Sequence, residues 1–300
     1  MTNQIPGQVG RTAVVTGANS GLGLVTATEL ARHGARVVLA VRNTAAGGRA
    51  AEQIRRAAPS AQVEVRELDL ASLASVRKFA DGADSIDLLV NNAGLVLLGP
   101  RHETADGFEL HLGTNFLGHF ALTGLLLDRF DTGTGARPRI VNLSSVTHKN
   151  KTLDFNDLMS VRDYDAARTY GRSKLATTIF GLELDRRLRA AGSPIISVLA
   201  HPGITRSNLT PRAWEHRGAL GRFLSRTALL LTQPVEQGAE PQLHAATAPD
   251  VHGGQFFGPA GFRELRGPST EVRPSPEASD PETGRHLWSA AEDLTGVRYL

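Results

Sequence analysis

The stretch Arg11-Thr12-Ala13-Val14-Val15-Thr16-Gly17-Ala18-Asn19-Ser20-Gly21-Leu22-Gly23 decides the fold. An apolar run of strand length passes through a glycine-rich turn, Gly17 to Gly23, directly into a segment of helical period. Glycines let the chain turn tightly and let its backbone approach a ligand. A helix starting just beyond them offers unpaired N–H groups and a positive dipole end, as dinucleotide-binding loops do. The spacing is G-x-x-x-G-x-G rather than the commoner G-x-G-x-x-G, so the turn alone carries little weight. Its weight comes from standing at the head of a series.

Short runs rich in Val, Ile and Leu recur at 11–16, 35–40, 63–68, 86–91, 139–144, 195–200 and 254–257. Between them, 22–33, 47–58, 73–81, 114–130 and 170–191 are long enough for crossover helices. Nearly continuous hydrophobicity predicts strands buried on both faces. The alternation therefore predicts one Rossmann-like, doubly wound α/β domain with a seven-stranded parallel sheet flanked by helices. That domain is expected over 1–265. Residues 266–284 turn to Pro, Ser, Glu and Gly, which reads as an extended or mobile loop, and 286–294 as a short helix closing the same domain.

Composition excludes several classes. None of the 300 residues is cysteine, so disulfides, cysteine-ligated metals and thiol nucleophiles are out. Net charge is only +3, the arginines are spread along the chain and aromatics are 5%, which speaks against nucleic-acid binding and for solvated surface arginines. The N-terminus is polar, and no apolar run approaches the roughly 18 residues that span a bilayer. A soluble, cytoplasmic protein without stable membrane insertion is expected. Ten histidines form no H-E-x-x-H, so no metal is expected; His111 and His119 read as polar positions on a helix surface.

At the end of the second run stands Val41-Arg42-Asn43, with no carboxylate. An acidic residue there would suit the ribose hydroxyl of NAD, whereas an arginine suits the 2′-phosphate of NADP. Arg42 therefore points to NADP, its alternative being a plain surface arginine. Asp69-Leu70 and Asn91-Asn92-Ala93-Gly94 follow the third and fourth runs, where a carboxylate could meet an adenine and small residues would let the cofactor pass. Both also suit ordinary turns. Tyr170 and Lys174 lie one helical turn apart. Three tyrosines and four lysines in 300 residues give about 0.04 such pairs by random placement. An ammonium beside the phenol, with the positive charge of an oxidised nicotinamide, is expected to lower its pKa and fit it for acid/base work.

Together TGANSGLG at 16–23, DL at 69–70, NNAG at 91–94, TNFLGHF at 114–120, VNLSS at 141–145, YGRSK at 170–174 and HPG at 201–203 resemble, in order, the short-chain dehydrogenase/reductase family. The resemblance implies Tyr170 as acid/base, Lys174 on the nicotinamide ribose, Asn115 holding a relay water and Ser145, rather than Ser144, on the substrate oxygen. It implies cofactor contacts from Gly17, Asn19, Ser20, Gly21, Leu22, Gly23, Arg42, Asp69, Leu70, Asn92, Ala93, Gly94, Tyr170, Lys174, Pro202, Gly203 and Ser207. Ser207 stands where many members carry threonine. Ser145 and Tyr170 are farther apart than in most short members, and the extra segment, 148–168, holds Leu153-Asp154-Phe155-Asn156-Asp157-Leu158. That insert is similar to the retinol dehydrogenase, WW-domain oxidoreductase and protochlorophyllide reductase branch. Lack of cysteine argues against the last activity, and lack of an N-terminal hydrophobic anchor points to soluble bacterial members.

The expectation is an NADP-dependent oxidoreductase of carbonyls or alcohols acting on a small, hydrophobic molecule. NAD use and a non-catalytic NADP-sensing regulator are the alternatives. Leu220, Phe223, Leu224, Thr227, Ala228 and Leu231 recur at helical spacing within a segment, 205–235, that reads either as a substrate lid or as plain core. Trp214 and His216 stand near its start. Family pattern suggests a homodimer or homotetramer through the 114–130 and 170–191 helices.

Overall fold

A computed structural model of the chain describes residues 5–133, 137–205 and 232–300. Strands β1 (Thr12–Thr16), β2 (Arg36–Val41) and β3 (Gln62–Glu67) alternate with helices α1 (Gly21–Arg32), α2 (Thr44–Ala57) and α3 (Leu73–Asp81). Next come β4 (Leu88–Asn91), α4 (Leu110–Leu112), α5 (Gly118–Leu126), β5 (Arg139–Leu143), α6 (Ala166–Ala190), β6 (Ile196–Ala200), α7 (Val235–Thr247) and β7 (Phe256–Pro259). The chain closes with β8 (Ser269–Glu271), α8 (Pro276–Ser279) and α9 (Pro281–Thr295). The strand order is β3-β2-β1-β4-β5-β6-β7-β8, parallel except for β8. The order reverses between β1 and β4, and at such a switch point these sheets bind ligands beyond the strands' carboxyl ends.

Successive side chains of a strand face opposite ways, and each face has its own core. Val14, Val38, Leu89 and Ile140 join the core under α3, α5 and α6. Ala13, Val15, Val37, Leu39, Val90 and Val141 join the core under α1, α2 and α7. Burial on both faces is why these strands carry no polar alternation.

Three expectations need correction. The sheet has eight strands, not seven. The last, Ser-Thr-Glu, is a polar edge strand brought back by a hairpin from β7, and no apolar pattern announces it. The 266–284 run is neither extended throughout nor loose. Ser275 and Asp280 cap α8 and α9 through their side chains, and each cap is followed by a proline at the first helical position. The closing helix starts at Pro281 and buries Leu287, Trp288 and Ala291. Finally, the 114–130 helix is not continuous: α4 widens into a π turn over Gly113–Leu117 before α5 begins. Arg139, 6% exposed, departs from the surface reading of the arginines by donating to the carbonyls of Ala245 and Ala248.

The tail lies over α5 and α6. Trp288 packs 5.1 Å from Phe120 and 6.0 Å from Phe180, centroid to centroid, and the Tyr299 hydroxyl donates to the Phe120 carbonyl at 3.1 Å. The insert is pinned as well. Phe155 stacks on His286 of α9 at 3.8 Å, while Asp157 accepts from the N–H groups of Val161 and Arg162 and turns the chain toward α6. No helix among the described residues is long and apolar enough to cross a membrane.

Candidate active site

The glycine loop leaves β1 with Gly17 at φ +66° and Gly21 at φ +57°, the left-handed region that glycine enters without strain. A side chain at Gly23 would meet Asn92 Nδ2 at 2.5 Å and the Gly17 carbonyl at 2.7 Å; one at Gly17 would meet Ala93 at 3.0 Å. Residues 17, 23, 92 and 93 are therefore one packed group. Ser20 stands in extended backbone before α1, its hydroxyl making no capping bond, and the first turn of α1 holds no acidic residue. The positive end of α1 thus faces the loop without an anion of its own.

Thr16, wholly buried, holds this group together. Its hydroxyl oxygen accepts from the N–H groups of Asn92 at 3.0 Å and Ala93 at 2.8 Å, and its carbonyl accepts from Asn92 Nδ2 at 2.7 Å. The hydroxyl hydrogen goes to His119 Nε2 at 2.9 Å, because His119 Nδ1–H is already given to the Asn115 carbonyl at 3.1 Å. Burial pushes the His119 pKa down to about 4, so the ring is neutral near pH 7. His119 is thus no surface residue but a buried link between the end of β1 and Asn115. His111 is likewise buried, 1% exposed. It accepts the Leu97 N–H on Nε2 at 3.0 Å and gives Nδ1–H to the fully buried Glu109 at 3.0 Å, with its ring edge-on to Tyr170, 6.0 Å between centroids.

Toward β2 and β3, Gly17 N–H donates to the Ala40 carbonyl, drawing the loop to the end of β2. Arg42 follows at once, exposed, with no ion pair among the described residues. Asp69 is held by an Ala71 N–H on Oδ1 at 3.0 Å and by its own N–H to Ser75. Leu70 packs its carbonyl where a Cβ at Gly118 would lie, 2.4 Å away.

On the other side of the switch point, α6 begins at Asp165, whose side chain caps the helix through Arg168 N–H at 2.7 Å. One turn on stands Tyr170, half-buried, with the Ser145 side chain beside its phenol. Its pKa lies above the usual phenol value: burial raises it, and the neighbouring Ser145 hydroxyl only partly offsets this. Desolvation outweighs the neighbouring polar groups at this phenol. Lys174 is 4% exposed and donates to the Leu143 carbonyl at 2.9 Å; burial without an anionic partner lowers its pKa to about 8. Gly94 lies against both Lys174 and Asn115, since a Cβ there would stand 3.3 Å from Nζ and 3.3 Å from Oδ1. Asn115 sits in the π turn, its side chain bonded to both main-chain groups of Leu95 and to Ser173. Ser144 is bound to the Lys174 carbonyl and Thr178, leaving Ser145 to face Tyr170.

His201, Pro202 and Gly203 follow β6, with Gly203 at φ +64° under the Leu265 carbonyl. His201 gives Nε2–H to Glu264 at 2.9 Å. Ser207, Trp214, His216 and the apolar stripe from Leu220 to Leu231 lie outside the described residues. Glu109 and Glu264 were missed by sequence reasoning. Glu109 precedes His111 by two residues, an i,i+2 spacing with no helical meaning; Glu264 stands in a glycine-flanked loop. Among the described residues no cluster of His, Cys, Asp and Glu could hold a metal. A cavity of about 580 Å³ between α1 and α7 is lined by none of these groups.

A family-wide sequence model of the short chain dehydrogenases matches residues 11–218. The chain is 43% identical to polyprenol dehydrogenase of Mus musculus, over 98% of this chain and 86% of that one. It is 40% identical to retinol dehydrogenase 13 of Homo sapiens, over 96% and 85%. A crystal structure of an uncharacterized protein from Mycobacterium Paratuberculosis matches with a TM-score of 0.83 at 41% identity, covering 100% of this chain and 98% of that one. More distant solved relatives hold either cofactor. A gluconate 5-dehydrogenase from Beutenbergia cavernae (26% identity, TM-score 0.62, 83% and 95% covered) has bound NADP, and a short chain dehydrogenase/reductase from Burkholderia phymatum (25%, 0.62, 79% and 85%) is in complex with NAD. With the glycine loop, the switch-point site and these relatives in agreement, the chain belongs to the short chain dehydrogenase family, in its retinol dehydrogenase-like branch, as an oxidoreductase of alcohols or carbonyls that works with a nicotinamide cofactor.

Proposed function

We propose that the chain is an NADP-dependent dehydrogenase/reductase acting on the alcohol or carbonyl carbon of an apolar small molecule, with Tyr170 as general acid/base. The observation that carries this reading is the convergence of Ser145, Tyr170 and the buried Lys174 at the carboxyl ends of β4 to β6, with Tyr170 and Lys174 one helical turn apart. The glycine cradle, too tight for any Cβ at Gly23, and the anion-free start of α1 fit a pyrophosphate. Exposed and without an ion pair among the described residues, Arg42 fits the extra phosphate of NADP, and β2 ends without a carboxylate that would repel it. The names of the retinol and polyprenol dehydrogenases support an apolar alcohol or its carbonyl as substrate.

When bound, the nicotinamide supplies or accepts the hydride. The chain's own groups handle the proton and the oxygen. Ser145 Oγ donates a hydrogen bond to the substrate oxygen and polarises it. Tyr170 Oη gives that oxygen a proton in reduction, or takes one in oxidation. Lys174, cationic below about pH 8, holds the cofactor ribose and, together with an oxidised nicotinamide's positive charge, offsets the desolvation that raises the phenol pKa. Asn115 anchors the Leu95 main chain beside it, and the Glu109–His111 pair fixes a ring edge against Tyr170. Tyr170→Phe should lower kcat by about 10²–10⁴-fold while cofactor dissociation constants hold within about threefold; unchanged turnover ends the mechanism. Arg42→Asp should shift preference from NADPH to NADH in fluorescence titration. Tighter NADH binding by the wild type would overturn the NADP assignment.

A further inference from the structure

The hairpin that adds the unforeseen eighth strand also delivers a carboxylate to the site. Beyond the β7–β8 ladder, Ala260 N–H bonds the Pro268 carbonyl and Gly261 N–H bonds the Arg266 carbonyl, so the tip is a closed, ordered turn. At its apex Arg263 and Glu264 both take left-handed backbone, φ +50° and +58°, a conformation non-glycine residues hold only when their surroundings require it. Here they are the two central residues of a type I′ turn, closed by Leu265 N–H on the Phe262 carbonyl at 3.1 Å. The turn carries Glu264 inward: one carboxylate oxygen takes a hydrogen bond from Lys149 Nζ and the other takes Nε2–H of His201 at 2.9 Å. Lys149 lies four residues after Ser145, and His201 opens the turn after β6.

We propose that Glu264 is a positioning residue for the nicotinamide half of the site, its carboxylate fixing the spacing between the turn that carries Ser145 and the turn His201–Gly203. This rests on the nicotinamide reading above. Sheet topology supplies the geometry. With the pyrophosphate at the β1–α1 loop and the adenosine half on the β2–β3 side, the other half of a dinucleotide extends over β4, β5 and β6. The two turns tied by Glu264 follow β5 and β6. A second bond from the same hairpin acts on the same turn, Ile204 N–H to the Leu265 carbonyl at 2.8 Å.

The chemistry calls for a carboxylate. Lys149 and His201 both present donors, and His201 Nδ1 accepts from Gly203 N–H at 3.3 Å, so its proton sits on Nε2. An amide at position 264 must turn its NH₂ toward one of the two donors. Relief is available only by moving the His201 proton to Nδ1, where it would face the Gly203 N–H. Hydrogen bonds from His201 and then Lys149 hold the Glu264 carboxyl down at about 2, so it is a carboxylate near neutral pH.

The test compares full-length wild type, Glu264→Gln and Lys149→Met with two kinds of ligand: NADPH or NADH, and the adenosine halves alone (adenosine 2′,5′-bisphosphate and ADP). Glu264→Gln should weaken the dinucleotide about tenfold while the adenosine half changes less than twofold. Lys149→Met, which leaves the His201 bond in place, should give a smaller shift of the same sign and serves should Glu264→Gln not fold. Equal loss for both ligands in both variants, the mark of general damage, overturns the proposal, as does no loss for either. A wild type that binds no dinucleotide overturns the cofactor reading and this one with it. A wild type that binds, with an unchanged ratio in the variants, overturns this one alone.

Discussion

Replacing Thr16 by valine should cost the folded chain far more than the loss of one surface hydroxyl would. The shapes match, so no cavity opens, and the whole effect falls on hydrogen bonds. Asn92 N–H keeps the Val90 carbonyl at 2.9 Å, but Ala93 N–H and His119 Nε2 lose their partner inside a site with no exposed surface at residue 16. A buried group left unsatisfied costs about 1–3 kcal/mol, so two cost about 2–6 kcal/mol. A folded chain has typically about 5–15 kcal/mol in hand, so the loss is a large share. Thr16→Ser keeps the hydroxyl and removes one methyl, about 1 kcal/mol. Urea unfolding of the three proteins reads this directly, as shifts of midpoint at constant slope. Coenzyme titration of the same samples should show the valine variant weakened, because Asn92–Ala93 line the cradle. A valine variant within about 0.5 kcal/mol of wild type, or serine and valine variants losing equally, would refute the role given to the hydroxyl.

Acid stability should follow the buried imidazoles. His119 and His148 have pKa values lowered by burial to about 4, against 6.5 when free, so the unfolded chain takes up their protons first. Their contribution is intact above pH 6.5 and is lost as pH falls toward 4, at about 1.4 kcal/mol per pH unit for each; denaturation midpoints flat between pH 6.5 and 4.5 would contradict it. A chain ending at Pro274 loses α8 and α9 and uncovers Phe120 and Phe180. Burial of Trp288 alone contributes roughly 4–6 kcal/mol, so the shortened chain should be much less stable and elute as larger species in size exclusion, whereas unchanged stability and elution would show that the tail covers nothing of consequence.

How much of this was legible in the sequence depends on what each residue announces to its neighbours in the chain. Strands buried on both faces write themselves as apolar runs, so β1, β2, β4, β5 and β6 could be read directly. The glycine loop and the Tyr170–Lys174 pair were legible because their chemistry depends on local spacing. Ser269-Thr270-Glu271 has no such signature; only its partner strand makes it a strand. The tail helices were present as Ser275-Pro276 and Asp280-Pro281, cap and first-turn signals obscured by the overall proline content. His111 and His119 were misjudged because a polar residue's burial depends on distant partners, here Leu97 and Thr16. Glu264 became legible only once the hairpin had carried it across the site.

The π turn at 113–117 sets the phase of everything after it. A single additional residue in one helical turn rotates the rest by about 100° relative to an uninterrupted α-helix. As built, α5 turns His119 toward Thr16 and Phe120 toward Trp288, while the Asn115 carbonyl is met by His119 and the Thr177 hydroxyl of α6. Excising one residue between Gly113 and Leu117 would restore a regular helix and improve its hydrogen bonding, yet swing each of those side chains away from its partner. The irregularity is therefore a gear setting: the number of residues in the turn, over and above their identities, decides which way α5 faces.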